Sequence, residues 1–198
     1  MAFLDQIKQR RSIYSIGKNV ELDQAEIEKI IKDAVKHSPS SFNSQTSRVV
    51  ILFGQSHDTF WHIVRETLRD LVSADAFEST NSKINAFAAG YGTALFYEDQ
   101  NVVKSMQEQF ALYADNFPVW SEHSSAIAQF ATWTALAEKI LGLHYSTIIQ
   151  LLMRKSHKLS RFHLTGNFVL NWYLGQLKHL QVKKPLWMMQ NVLRPLHK

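Results

Sequence analysis

Apolar positions along the first 138 residues alternate between helical and strand spacing. Stripes three and four residues apart predict helices at 2–11, 23–37, 56–72, 101–113 and 121–136, and apolar runs predict buried strands at 49–53 and 91–97. Residues 73–82 are polar and predict a loop or a frayed helix, followed by a short helical approach at 83–89. This order predicts an α+β fold with a sheet wrapped in helices.

The best-marked helix begins at Asp23, which can cap its N-terminus, and Glu26 completes a capping box. It ends before Pro39. The polar run that follows, at 38–47, feeds directly into the first strand, so its hydroxyls and amides cluster at the mouth of the sheet. Such a loop suits a flat, hydrogen-bonding ligand, although an ordinary Ser/Asn-rich connection has the same composition.

Two further stretches are candidates for ligand binding or for a subunit interface. Arg10 and Arg11, followed by Ser12, can bind a phosphate or an electron-rich ring edge through the guanidinium fork, or can form a solvated surface pair. The helix at 121–136 is the most apolar of the chain, which indicates burial in the core or at a subunit interface.

Composition narrows the class of protein. The chain has 198 residues, 45% of them hydrophobic, enough for one domain with a sizeable core. It has no apolar run long enough for a membrane span, no signal-peptide pattern at its start and no cysteine. We therefore expect a cytoplasmic protein without thiol catalysis or cysteine-bound metal, and we assign neither catalytic residues nor metal ligands.

Charge is distributed unevenly around the net value of +5. Residues 1–138 hold all 17 acidic side chains and carry a net charge of −5, whereas residues 139–198 carry +10 with no acid. A basic tail of this kind can be an arm that binds nucleic acid or an acidic membrane. Alternatively, it was never shaped as a protein surface, since ordinary domains mix both signs.

Three motifs in a fixed order resemble the FMN-dependent nitroreductase family: RRSIY at 10–14, SPSSFNSQTSRVVIL at 38–52 and AFAAGYGTALFYED at 86–99. The similarity is to the compact subgroup that includes the fungal fatty-acid-regulation type and bacterial copper-induced nitroreductases. It implies a homodimer with FMN held between the subunits. It also implies ping-pong hydride transfer from NAD(P)H to a nitroaromatic or quinone, chemistry that the cofactor carries.

The resemblance also implies roles for individual residues. Arg10, Arg11 and Ser12 match positions that hold the FMN phosphate and the pyrimidine edge, with Tyr14 beside them. The loop donated by the partner subunit matches Pro39, Ser40, Ser41 and Asn43, with Gln45 as a further candidate. Lys83 is either the basic residue near the N1–O2 edge of the ring or a solvated helix residue.

The resemblance stops after Glu138, where family members continue with N-I-G-A-S-L-Q-H-Y-N-P and later with W-K-x-R-A-Q and E-R-F-K. If one base is lost near the codons of Glu138 and Lys139, synonymous codons for 139–150, 164–175 and 190–194 regenerate these three motifs in order. We therefore interpret residues 1–138 as a truncated nitroreductase-like domain and residues 139–198 as an out-of-frame translation, with no secondary structure expected beyond a helix at 144–159.

Three hypotheses follow. We favour an FMN-dependent NAD(P)H nitroreductase or quinone reductase whose activity is impaired in this chain. The second is a non-catalytic remnant of that family that binds FMN poorly. The third is a protein whose basic arm binds nucleic acid or an acidic membrane, which we do not favour because no nucleic-acid-binding motif is present.

Overall fold

Helices surround one sheet in the computed structural model, which describes residues 2–139, 141–146 and 167–177. The described helices are α1 (Phe3–Gln9), α2 (Gln24–Lys36), α3 (Gly54–Leu71), α4 (Ala74–Ala88), α5 (Gln100–Gln109) and α6 (Phe117–Glu138), with 3-10 turns at Ser41–Asn43 and Ala111–Asn116. The described strands are β1 (Ile16–Gly17), β2 (Ser47–Phe53), β3 (Gly92–Glu98), β4 (Leu141–Ser146) and β5 (Asn167–Leu177).

The sheet is antiparallel, and three of the other described strands pair with β5. β5 pairs with β1, β3 and β4, while β2 pairs with the other edge of β3. The ladder between β2 and β3 runs from Ser47 opposite Glu98 to Phe53 opposite Gly92. A Cβ atom at Gly92 would stand only 2.9 Å from the carbonyl oxygen of Leu52, so the strands meet this closely only with glycine here.

Strand β3 is buried on both faces because its side chains alternate between two helical layers. Leu95 packs in a cluster with residues of α3 and α4, and Ala94 and Phe96 pack in a second cluster with residues of α2 and α6. The fully buried helical members are Phe60, Trp61, Val64, Ile84, Ile27, Ile31 and Leu136. The predicted α+β fold, a sheet wrapped in helices, is confirmed.

Helix α2 begins as predicted. Asp23 Oδ1 accepts from the backbone N–H of Glu26 at 2.8 Å, and Glu26 Oε2 accepts from the backbone N–H of Asp23 at 2.9 Å. This closed pair satisfies two of the donors that a helix start leaves free.

The loop or frayed helix predicted at 73–82 is wrong, because residues 74–82 belong to the regular helix α4 and Ser73 is its N-cap residue. Two amides on its polar face pair with α3: Arg65 donates to Asn81 Oδ1 at 2.9 Å and to Asn85 Oδ1 at 2.7 Å. The polar character that indicated a loop is thus a helix face bonded to its neighbour.

Strands β4 and β5 come from the segment that we interpret as out of frame. No strand was expected in this segment, so β4 and β5 are a correction to that expectation. The boundary after Glu138 stays a prediction. The helix expected at 144–159 differs at its start, because His144, Tyr145 and Ser146 belong to β4. Its remaining residues lie outside those that the structure describes.

Candidate functional site

The loop at 38–45, called the polar loop below, has unusual backbone geometry. Phe42, Asn43 and Gln45 have φ angles of 55°, 50° and 49°, in the left-handed region that side chains rarely adopt. Ser40 organises the turn: its carbonyl accepts from the N–H of Asn43 at 2.9 Å, and its Oγ accepts from the N–H of Gln45 at 2.9 Å. Gln45 Nε2 also donates to Asn43 Oδ1 at 3.1 Å. The hydroxyls and amides of the loop are therefore held in a defined arrangement.

Aromatic contacts stabilise the strained position of Phe42. A left-handed conformation costs a residue with a side chain about 1–2 kcal/mol. The Phe42 ring lies 4.8 Å from Phe110, 5.6 Å from Tyr113, 5.4 Å from Phe117 and 5.8 Å from Trp120, centroid to centroid. Such ring pairs contribute about 0.5–1.5 kcal/mol each beyond burial. Phe42 nevertheless stays 48% exposed, so it presents an aromatic surface within the polar loop.

A cleft of about 170 Å³ opens against this loop. Its walls come from the end of α2, the polar loop, the start of β2 and α6, and they include Pro39, Ser40, Asn43 and Gln45. Four of the five loop residues named by the resemblance therefore line one cavity. Ser41 lies in the same turn but not in the wall.

The far end of the loop is anchored to the end of β3. Arg48 donates to the carbonyls of Gln45 at 2.8 Å and Ser47 at 3.0 Å, and its other terminal nitrogen lies 3.2 Å from Asp99 Oδ2. Ser47, which lines the cleft, donates its hydroxyl hydrogen to Glu98 Oε1 at 2.6 Å. The wall of the cleft is thus linked to a buried carboxyl.

Glu98 is fully buried, and its environment favours the neutral acid. Burial raises the pKa of the Glu98 carboxyl, while the hydroxyls of Ser47, Thr46 and Ser125 and the charge of Arg48 act in the opposite direction. Glu98 Oε2 has no hydrogen-bond partner among the described residues. Burial prevails, so the ionised form is costly in the folded chain.

Replacing Glu98 by glutamine is expected to raise the melting temperature by a few degrees at neutral pH. Because the folded pKa is raised, the stabilisation from the protonated carboxyl is complete below the unfolded pKa of about 4.3 and is lost as pH rises through the folded pKa. Glutamine keeps an acceptor for Ser47 without ionising. Thermal unfolding of both proteins at neutral pH and near pH 5 checks this, and an equal difference at the two values would contradict it.

Arg10 contacts α6 at Trp133, a residue outside the wall of the cleft. Arg10 follows α1, is half-buried, and its guanidinium carbon lies 4.1 Å from the ring centroid of Trp133. Burial lowers the pKa of the Arg10 guanidinium, and the charge of Arg11 lowers it further. Among the described residues no carboxylate lies within 4 Å of its nitrogens, and Nε has no hydrogen-bond partner. Arg10 is therefore a partly desolvated cation without a counter-charge in this part of the chain.

The structure does not bring all the predicted residues together within one chain. Arg10, Arg11, Ser12 and Tyr14 are absent from the wall of the cleft, Arg11 and Tyr14 being exposed and Ser12 half-buried. Lys83 is exposed on α4, also outside the cleft, so the alternatives for it stay open. The N-terminal segment and the polar loop both contact α6. They form two separate halves of a candidate site.

Sequence reasoning missed three residues of this arrangement. Trp133 lies within the predicted apolar helix at 121–136, and its contact with Arg10 spans most of the described chain. Ser47 ends the polar run and Glu98 follows the predicted strand at 91–97, and the strand register places these two residues opposite each other. A carboxylate that closes an apolar strand is a weak signal of such a role.

Other kinds of site find no support in the described ranges. These residues contain no cluster of three or more side chains suited to a metal ion. None of the helices in the same ranges is both long enough and apolar enough to cross a membrane.

Comparisons with known proteins agree on one family. The family model described as "Nitroreductase family" matches residues 7–162. The yeast (Saccharomyces cerevisiae) protein HBN1 is 30% identical over 144 residues, 72% of each chain.

Solved structures extend the likeness to the fold. Nitroreductase CinD from Lactococcus lactis, in complex with nicotinic acid, superposes with a TM-score of 0.82 at 40% identity, covering 92% of this chain and 93% of its own. A nitroreductase with bound FMN from Desulfitobacterium hafniense has a TM-score of 0.66 at 14% identity, covering 91% and 92% of the two chains. At that identity the second comparison concerns the fold alone.

Proposed function

Because the chain belongs to the nitroreductase family, we propose that it is an FMN-dependent oxidoreductase that passes hydride from NAD(P)H to a nitroaromatic or quinone compound. The observation that carries the proposal is Arg10, a half-buried guanidinium that no carboxylate of the described residues neutralises. An unpaired cation is costly to desolvate. A phosphate group supplies the missing charge together with bidentate acceptors.

The residues present fit FMN in a divided arrangement. Arg10 and Arg11 would hold the phosphate, with Ser12 and Tyr14 beside them, and the hydroxyls and amides of the polar loop would hold the polar edge of the cofactor. When bound, FMN supplies the two-electron chemistry, first with NAD(P)H and then with the acceptor. The protein's part is to bind and orient both partners, consistent with the absence of an assigned nucleophile or acid–base pair.

A second copy of the chain would complete each site. Three apolar side chains on α6 are left partly exposed: Val119 at 52%, Ile127 at 44% and Phe130 at 39%. Exposed apolar residues on a largely buried helix suit a subunit interface. In a homodimer the polar loop of one copy would face the N-terminal arginines of its partner, which accounts for their separation within one chain.

The aromatic surface at Phe42 supports a planar acceptor. Phe42 is half exposed, directly precedes Asn43 of the cleft wall, and contacts four further rings. A flat ring can stack there and exclude water from the polar loop. CinD, which is 38–39% identical to this chain in the same comparisons, has been solved with chloramphenicol and with 4-nitrophenol.

Flavin binding and turnover test the proposal. FMN is titrated into the 198-residue chain and into the frame-restored chain, in which translation continues in the family's frame after Glu138. We expect FMN fluorescence to be quenched. In the absence of dioxygen, we expect NAD(P)H to be consumed in excess of the bound FMN only when 4-nitrophenol or a quinone is present to reoxidise the flavin. A frame-restored chain that is folded by circular dichroism but binds no FMN would falsify the proposal, and bound FMN without NAD(P)H consumption would favour the non-catalytic remnant.

A further inference from the structure

We propose that Trp133 is a positioning residue for the phosphate end of the site. Its indole holds the Arg10 guanidinium in the orientation in which that group binds a phosphate. This inference rests on the proposed function, since it takes FMN as the ligand of Arg10. It adds a specificity determinant, a residue that separates FMN from flavins without a phosphate.

The contact between the two side chains is close. The guanidinium carbon lies 4.1 Å from the ring centroid, well inside the range of about 6 Å over which a cation is attracted to an aromatic face. The backbone of Arg10 is also fixed, because its N–H donates to the carbonyl of Gln6 at 3.0 Å and closes the end of α1. Both ends of the arginine side chain are therefore restrained before a ligand arrives.

Trp133 is itself held by the core. It packs against the buried cluster in which Ile27 and Ile31 of α2 meet Phe96 of β3 and Leu136 of α6. Because the core fixes the position of the indole, the contact restrains the side chain of Arg10 rather than the ring. Pre-organisation of this kind reduces the ordering cost of binding.

The contact with Trp133 leaves the donors of Arg10 available. The donors of a guanidinium lie in its plane, and a π face offers them no in-plane acceptor. Arg10 Nε makes no hydrogen bond within the described part of the chain. Arg11 follows directly, and two adjacent cations favour a doubly charged anion such as a phosphate monoester over a singly charged one.

A second arginine makes a cation–π contact outside the candidate site. The guanidinium carbon of Arg69 lies 5.2 Å from the ring centroid of Phe77, but Arg69 also pairs with Glu66 Oε2 at 2.6 Å. Arg69 is therefore neutralised within the chain, whereas Arg10 contacts its ring without an acid nearby among the described residues. This contrast makes Phe77 the matched control for Trp133.

Riboflavin provides the test, because it has the ring and ribityl chain of FMN without the phosphate. Dissociation constants of FMN and riboflavin are measured by fluorescence quenching for the wild-type 198-residue chain, Trp133→Leu, Trp133→Phe and Phe77→Leu, and again in the frame-restored chain. We expect Trp133→Leu to weaken FMN binding by about three- to thirtyfold, the range of a cation–π contact. The dissociation constant of riboflavin should change by less than about twofold in Trp133→Leu. The FMN affinity of Trp133→Phe should lie between those of the wild type and Trp133→Leu, and Phe77→Leu should leave the ratio of the two dissociation constants unchanged.

Arg10→Lys provides a second variant that tests the same contact if Trp133→Leu misfolds. Lysine keeps the charge but cannot present a flat fork on the indole, so we expect it to lower the FMN-to-riboflavin preference as Trp133→Leu does. Equal weakening of both flavins in Trp133→Leu, or no change in either, would overturn the positioning role while leaving the proposed function intact. Wild-type protein that binds neither flavin, in both the 198-residue and the frame-restored chain, would overturn the proposed function and this inference with it.

Discussion

Restoring the reading frame after Glu138 is expected to strengthen FMN binding by at least about tenfold, since one charge-assisted phosphate contact corresponds to roughly 1.5–3 kcal/mol. The family resemblance places further ring contacts and a second basic contact to the phosphate in the segment after α6. If residues 139–198 are out of frame, the 198-residue chain offers Arg10 and Arg11 without these partners. It also carries a tail with a charge of +10 and no acid, which does not resemble a selected surface.

A second effect of the restored frame concerns folding stability. The free energy of unfolding of an intact domain is only about 5–15 kcal/mol. If an out-of-frame sequence completes the core and the sheet, the loss of favourable contacts can exceed this margin and prevent stable folding. Size-exclusion chromatography and fluorescence titration of the two chains side by side provide the measurement. A 198-residue chain that is a monodisperse dimer and holds FMN as tightly as the frame-restored chain would show that residues 139–198 are a functional element rather than an out-of-frame translation.

Arg10→Ala is expected to weaken FMN binding by roughly 10- to 150-fold, the equivalent of one charge-assisted hydrogen-bonding group. The reason is the charge environment of this side chain: no acid of the described residues competes with a ligand for it. Truncation therefore removes an interaction with the phosphate and breaks no ion pair described in the protein. Fluorescence quenching in the frame-restored chain, where binding is tightest, gives the cleanest value.

Arg69→Ala is the matched control for this change. Arg69 also makes a cation–π contact, but it is paired with Glu66 on the surface of α3. We expect its loss to change stability by less than about 1 kcal/mol and FMN affinity hardly at all. If Arg10→Ala and Arg69→Ala alter FMN binding equally, Arg10 does not hold the phosphate.

Features that depend on a few neighbouring residues could be predicted from the sequence. The capping box of Asp23 and Glu26 is such a case, because both partners lie within one turn and the helix can begin nowhere else nearby. The cores of β2 and β3 are similar cases, since uninterrupted apolar runs at 49–53 and 94–97 leave few alternatives to a buried strand. The polar loop was located for the same reason, between a helix stop and a strand start.

Features that depend on register or on distant partners could not be predicted. Nothing near Phe42 indicates a left-handed backbone, because the rings that stabilise it belong to residues 110–120. Glu98 receives its hydrogen bond from Ser47 only because the ladder pairs these positions. The contact of Arg10 with Trp133 likewise requires α1 to pack on α6, which no local pattern specifies.

The place of β5 in the sheet has a consequence for the protein during its synthesis. Residues 92–98 emerge from the ribosome well before residues 167–177, yet these two strands pair along nearly their whole length. Until then one edge of β3, whose side chains are among the most buried of the described chain, offers unpaired N–H and C=O groups to any passing strand. Nascent chains are therefore exposed to intermolecular pairing, and chaperones that cover hydrophobic segments become most important during this interval.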